Sequence, residues 1–169
     1  FVDTEVAIYQ VCWTILILFI ARRMLILASE DIGNANPTAL VLANSCFQSV
    51  SIIGHPEARI ILSQCAVYLA CSPKSNRSYL AIDKAIEKVN TTGDLPVPLP
   101  LRNAPTKLMK ELGYGEEYQY AHDFPNQFIT AEFLPEAIAG TTFYKPGNNP
   151  REESAKTFLK NRWQDKYGY

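Results

Sequence analysis

What this sequence lacks narrows it first. Neither GxxxxGKS/T nor GxGxxG occurs, so there is no glycine-rich loop of the kind that cradles phosphates. No GxSxG elbow and no HExxH pair is present, which removes the commonest hydrolase and zinc-protease signatures. The four cysteines, Cys12, Cys46, Cys65 and Cys71, include no CxxC pair, and the two histidines, His55 and His122, are far from them in sequence. A zinc site is therefore not expected. The cysteines read as small core residues of a protein from a reducing compartment. An excess of one charge is missing too. Lys and Arg number 16 against 17 Asp and Glu, a net charge of −1. A generally basic nucleic-acid binder is excluded, and only a local basic face remains open.

A secretory leader is not expected either. Asp3 and Glu5 come before the apolar run from Val6 to Ala21, and Arg22-Arg23 follow it, the reverse of a signal peptide. Gln10 and Thr14 interrupt the run, which is shorter than the roughly 18 to 20 apolar residues a membrane span wants. It reads as a buried helix, or as two helices meeting at a tight corner, with no membrane role. The chain begins at Phe1 without a methionine and reads as a piece of something longer.

What is present is mostly helical pattern. The 169 residues suit one domain, or one with a small appendage, and an apolar share of 47% supplies a core. Helix is expected from Glu5 to Ile32, with Gly33 as its C′ residue. Asn36 and Pro37 then cap and open a second helix carrying Leu40, Ala43, Phe47, Val50 and Ile53, and Gly54 stops it. Pro56 opens a third, with Ile60, Ile61, Cys65, Tyr68 and Leu69 facing inward. A fourth runs from about Asn76 to Val89. The connectors are short, which favours antiparallel neighbours.

The stretch from Pro96 to Gly115 breaks this habit. Pro96, Pro98 and Pro100 fix φ and remove amide donors, so the segment is neither helix interior nor central strand. A short helix follows, with Asn103 as N-cap, Pro105 near its first position, Leu108 and Leu112 on one face and Gly113 at its end. This strap is expected to pack across other elements as the seam of the fold. Beyond it lie loops and short extended pieces, then a charged helix from Arg151 to about Asp165 with a thin apolar side. That helix is expected to be held loosely, by the body or by a partner chain.

Few constellations carry chemistry. His122 and Asp123 are adjacent, and neighbours on a strand point to opposite faces, so they do not imply a catalytic couple. Arg23 and Glu30 stand two turns apart on one helix face, with Arg22 and Asp31 beside them, and read as a solvated or ion-paired face. Lys74, Arg77, Arg102, Lys107 and Lys110 could form a phosphate-facing patch. Tyr114, Tyr118 and Tyr120 could stack on bases, though packing over the strap is the commoner role.

Several runs together resemble one known family. They are Ala21-Arg22-Arg23, Ala28-Ser29-Glu30-Asp31-Ile32-Gly33, Gly54 with Pro56-Glu57, Tyr68-Leu69-Ala70 and Pro73-Lys74-Ser75-Asn76. The run from Leu101 through Arg102-Asn103-Ala104-Pro105-Thr106-Lys107 to Gly115 and the run Tyr120-Ala121-His122-Asp123-Phe124 continue the likeness. They resemble the C-terminal part of the replication-associated recombination protein A family of AAA+ ATPases, over roughly residues 19 to 146. The resemblance implies an all-α, clamp-loader-collar-like domain with a proline-rich strap and a loop-rich C-terminal region containing short extended pieces. On this reading residues 1–146 are an oligomerisation domain and 147–169 a charged helix or tail.

The resemblance further implies a non-catalytic homotetramerisation domain, with ATP and Mg2+ bound in an AAA+ module absent here and no cofactor in this stretch. DNA and single-strand-binding protein would be partners of the whole protein, acting in the cytoplasm near the nucleoid in fork maintenance, recombination and repair. A nucleic-acid-binding module is the alternative. Structural or interface roles then fall to Arg22, Arg23, Glu30, Asp31, Lys74, Asn76, Arg102, Asn103, Lys107, His122 and Asp123, with no catalytic residue. One departure stands out. Family members carry an acidic, glycine-containing turn before the segment matching Leu18 to Arg23, whereas Trp13-Thr14-Ile15-Leu16-Ile17-Leu18 runs straight through. Either the helical corner is built differently, or a mobile loop is missing from the chain.

Overall fold

A computed structural model describes the backbone from residue 4 and the side chains from residue 11. Expectations for Asp3 and for the side chains before Val11 therefore lie outside the described residues. The helices, in chain order, are α1 (Thr4–Leu27), α2 (Thr38–Ile53), α3 (Ala58–Ala70), α4 (Arg77–Thr92), α5 (Lys107–Glu111) and α6 (Pro150–Trp163). No strand occurs among the described residues, so the all-α expectation holds. The chain divides into two units. One is Phe1–Leu80 with Pro146–Glu153, and the other is Ala81–Lys145 with Ser154–Tyr169.

In the first unit α2 packs against both α1 and α3. The residues that let the helices meet are small. Ala39, Ala43, Cys46 and Val50 form the buried face of α2, and they meet Ile17, Ala28, Ala58, Cys65 and Leu69 in one core cluster. Alanine at a crossing brings two backbones close and costs no side-chain entropy. This rotates α2 away from the expected face. Leu40 and Ile53 are more than two-fifths exposed, and Ala39 and Cys46 take the inward places. On α3 the inward set holds except for Ile60, which is exposed.

α1 is one straight run rather than a corner, so the absent glycine turn leaves the helix unbroken. It is not a buried helix. Ile17 and Ala21 face the core, while Val11, Ile15, Leu16, Phe19 and Ile20 are exposed. The stretch Val11–Ala35 is long and apolar enough to cross a membrane, by length and composition. α1 ends in a π-helical turn, Ala28–Ile32, whose Gly33 N–H returns to the Ala28 carbonyl. Gly33 has φ +50°, and a Cβ there would stand 2.5 Å from the Ser75 carbonyl oxygen. Only glycine admits that backbone approach. Asn36 does not cap α2 with its side chain. Its amide instead donates to the Tyr68 hydroxyl (3.1 Å) and to Ser72 Oγ (3.0 Å), tying the start of α2 to the end of α3.

The second unit is built differently. The strap closes on itself: the Gly115 N–H donates to the Leu99 carbonyl at 2.8 Å. Thr106, not Asn103, caps α5, its hydroxyl accepting from the Met109 N–H at 3.3 Å. Leu108 and Leu112 do share a face, but it is uncovered, at 64% and 56% exposed. Pieces on either side of the Glu136–Ile138 turn are extended without ladder partners among the described residues.

The charged tail is not loosely held. The Lys166 ammonium donates to the Thr130 and Ala131 carbonyls at 3.0 and 2.8 Å and faces Glu132 at 3.6 Å. Trp163 lies edge-on between Phe128 and Tyr167, each at 4.8 Å. These contacts follow from a long cation reaching unpaired backbone carbonyls, which no pattern of apolar spacing reports.

Candidate assembly surface and polar cleft

Three of the residues singled out from the sequence come together in the first unit. Asp31, Lys74 and Asn76 line an open cleft of about 480 Å3 with Ser75, Arg77, Gly147, Asn148 and Asn149. The π-helical turn presents Asp31, and the Ser75 N–H donates to its carbonyl at 2.8 Å, which docks the loop before α4. Asn149 stands just before α6 and accepts from the Glu152 N–H at 3.0 Å, while its amide donates back to the Glu152 carboxylate. Glu152 is only 1% exposed. Asn149 is thus the side-chain N-cap of α6, and its amide is also bonded to the side chain of Glu152. It holds the segment from Gly147 to Asn149 against the cleft. Chemically, the cleft offers two cations, several amide groups and one carboxylate, and no nucleophile paired with a base.

Arg23, Glu30 and Asp31 line a second, mostly apolar groove of about 350 Å3 with Phe19, Ile20, Met24, Ile26 and Leu27. Both arginines and Glu30 are exposed, and none of the ion pairs between described residues joins them. Of the two readings offered for this face, solvated or ion-paired, the solvated one holds, beside apolar surface.

The remaining candidates scatter over the second unit. Arg102 belongs to the strap. Its Nε donates to the Val97 carbonyl at 2.6 Å, and its guanidinium lies 4.9 Å from the centre of the Tyr114 ring. It is spent on holding the proline segment. Lys107 pairs with Glu111 at 3.8 Å on the exposed side of α5. Asn103 is exposed. His122 and Asp123 occupy a short 3-10 turn, both exposed, with the His122 ring 5.0 Å from Tyr120. They form no couple. The expected basic patch is therefore divided, with Lys74 and Arg77 in the cleft and Arg102 and Lys107 engaged elsewhere.

Sequence reasoning passed over the partly buried polar anchors. Glu132 accepts from the N–H groups of Leu134 (3.0 Å) and Gly140 (3.1 Å) and from the Tyr167 hydroxyl (3.0 Å). Burial works to raise the Glu132 carboxyl, but these hydrogen bonds and Lys166 outweigh it and hold it below the usual range. Tyr167 is pushed up to about 12 by burial and by its bond to Glu132. In the first unit, burial and the neighbouring Cys46 push Cys65 to about 12, leaving an inert thiol. Of the four cysteines only Cys46 and Cys65 are buried, and Cys12 and Cys71 are exposed. Asn149 had a local signal, an N-cap residue directly before Pro150 at the start of α6. Glu132 and Lys166 are far apart in sequence and had none.

Apolar surface, rather than a reactive site, is the commoner feature. Ile52 (84%), Val41 (66%), Ile60 (58%) and Val67 (61%) are open on α2 and α3, and Ile82, Ile86 and Val89 on α4. Among the described residues every fully buried side chain belongs to the first unit. The second unit has none, although it carries Val97, Leu99, Tyr118, Tyr120, Phe133 and Phe158 exposed.

Comparison with known proteins bears directly on this arrangement. The family described as MgsA AAA+ ATPase C terminal matches residues 7–163. The chain is 46% identical over 142 residues to Replication-associated recombination protein A of Coxiella burnetii, covering 83% of this chain and 32% of that protein. It is 46% identical over 136 residues to the protein of the same name from Escherichia coli K12, covering 80% and 30%. It is 46% identical over 129 residues to ATPase WRNIP1 of Dictyostelium discoideum, covering 76% and 15%. The chain thus spans about a third or less of the length of these relatives. With the family match running from the first turns of α1 to the end of α6, the chain belongs to the MgsA AAA+ ATPase C-terminal family.

Proposed function

We propose that this chain is a self-assembly domain, non-catalytic in itself, that joins four copies of an AAA+ ATPase acting in replication-fork maintenance, recombination and repair. The supporting observation is uncovered apolar surface. Val41, Ile52, Ile60 and Val67 of the first unit and Val97, Leu108, Tyr118 and Phe158 of the second stand open to solvent, and the second unit has no fully buried side chain to anchor it. A folded chain rarely leaves such surface to water unless another surface covers it. ATP and Mg2+ belong, on this reading, to the AAA+ part of the longer relatives, and no residue here is assigned to them. DNA and single-strand-binding protein would be met by the whole protein, in the cytoplasm near the nucleoid.

A bilayer is a poorer cover for α1 than protein. Arg22 and Arg23 fall at the middle of the apolar stretch, and Glu30 and Asp31 in its second half. Each charge at the centre of a bilayer costs about 2.5 to 3.5 kcal/mol on insertion scales.

Light scattering during size-exclusion chromatography across a dilution series tests the proposal. A mass of four chains is expected, and a single-chain mass at every concentration would overturn it. The cleft with Lys74 and Arg77 favours one further reading, a weak contact with a nucleic-acid backbone. Two cations predict a log–log salt slope of roughly −2 or shallower. Lys74→Glu with Arg77→Glu should abolish that binding, and unchanged affinity would dismiss the cleft.

A further inference from the structure

α4 is an amphipathic helix whose apolar stripe is left about half open to solvent. Tyr79, Ile82, Ile86 and Val89 follow one another at intervals of three, four and three residues along one side, and they are 44%, 55%, 51% and 59% exposed. On the opposite side Lys84, Glu87, Lys88 and Thr91 line a cleft with Thr141, Thr142 and Phe143. The polar side borders that cleft, and the apolar stripe is left about half open to solvent. A surface helix in a finished globule does the reverse.

The three-four-three interval is the seam spacing of a coiled coil, which is self-complementary. The positions flanking the seam are Ser78, Ala85 and Thr92 on one edge and Asp83 and Asn90 on the other. The first three are small enough to let two helices approach closely. Asp83 is the single charge among the five, and Lys84 and Lys88 lie on the far side, so two copies meet without a row of like charges. The four stripe residues, each about half exposed, leave on the order of 400 Å2 open, the size that marks an interaction site on a monomer. Two such stripes with their flanks reach the low end of a specific interface, on the order of 1,000 Å2 in total.

We infer that α4 pairs with α4 of a second copy across a two-fold axis, using Tyr79, Ile82, Ile86 and Val89 as the seam. The inference rests on the self-assembly reading and says which face does the work. A tetramer of dihedral symmetry needs at least two kinds of two-fold contact, and α4 supplies one of them. Breaking it should leave pairs held by the other.

The experiment is the solution mass of the whole chain carrying Ile82→Asp with Ile86→Asp, with circular dichroism to follow helix content. The expected result is four chains for the parent and two for the variant at equal helicity. A parent of one chain would overturn the self-assembly reading itself. A parent of four with a variant of four would overturn only the assignment to α4. Should the charged variant fail to fold, Ile82→Ala with Ile86→Ala keeps helix propensity and removes the seam. It is expected to weaken association of pairs at least a hundredfold on dilution. A dilution profile identical to the parent's would overturn the inference. Lys84→Glu with Lys88→Glu, on the far side of α4, should leave the mass at four.

Discussion

The two units are nearly equal in length and opposite in construction. The first is held by small apolar side chains between helices, with Ala39, Ala43 and Ala58 at 0% exposed and Leu69 at 2%. The second has no fully buried side chain among its described residues. It is held by a lysine on two carbonyls, a carboxylate gathering four hydrogen-bond donors, and aromatic rings meeting edge to face. The lesson lies in how the two kinds of cohesion scale. Burying a leucine contributes about 1.5 to 3 kcal/mol, while a net hydrogen bond contributes about 1. The first unit can stand on its own core. The second is held by many small contacts instead.

The contrast breaks most visibly at Leu69. Leu69→Ala should cost about 2 to 5 kcal/mol in urea unfolding. Leu108→Ala should cost less than about 0.5 kcal/mol in the dissociated chain, because Leu108 is already in water. Equal losses would mean that the second unit has a core after all.

Lys166→Met is the next test. It leaves the Thr130 and Ala131 carbonyls without their donor and Glu132 without its cation, so a local loss of about 1 to 3 kcal/mol is expected. Hydrogen exchange should rise across residues 128–142 and stay constant in α2 and α3. Unchanged exchange in the second unit would show that apolar packing, not Lys166, holds it.

A smaller effect is expected from pH. Glu132 is lowered in the fold, so its contribution is complete above the ordinary carboxyl range, about 4, and is lost as pH falls through its folded value. Tyr167 is raised to about 12, so its contribution is complete below about 10 and is lost as pH climbs through 12. Trp163, which touches Tyr167, reports both limits by fluorescence once Trp13→Phe removes the other tryptophan. A signal flat at both extremes would dissociate Glu132 and Tyr167 from stability.

The least costly test leaves the fold untouched. Cys12 and Cys71 should alkylate quickly under native conditions, and Cys46 and Cys65 only on unfolding. Four equal rates would deny the first unit its closed core.

The same contrast explains what was legible in the sequence. Helical spacing and the stops at Gly33, Gly54 and Gly113 placed the helices, because helix ends are decided locally by backbone freedom. The inward faces were harder. Leu40 and Ile60 are apolar and exposed, while Ala39 and Cys46 are modest and buried. Packing between helices selects for fit, and a count of hydrophobicity selects for size. The family motif was legible as a set of residues, but their roles were not. Arg102 serves the strap and Asn103 caps nothing, since both outcomes depend on where Val97, Tyr114 and Thr106 fall in space. The Glu132 anchor was out of reach, because its donors come from near and far in the chain.

The return of Pro146–Glu153 to the first unit has a consequence for how the chain can come apart. The stretch from Ala81 to Lys145 is a tethered excursion rather than a free arm, fixed where it leaves and where it comes back. Melting it yields a closed loop, which has less freedom than a dangling chain of the same length by on the order of 3 to 4 kcal/mol. A coreless unit thereby gains resistance to disorder from the topology alone. The anchor at the return point is the Asn149–Glu152 pair. A cut near Lys145 would convert the loop into two tails, and the same contacts would then hold against a much larger entropy.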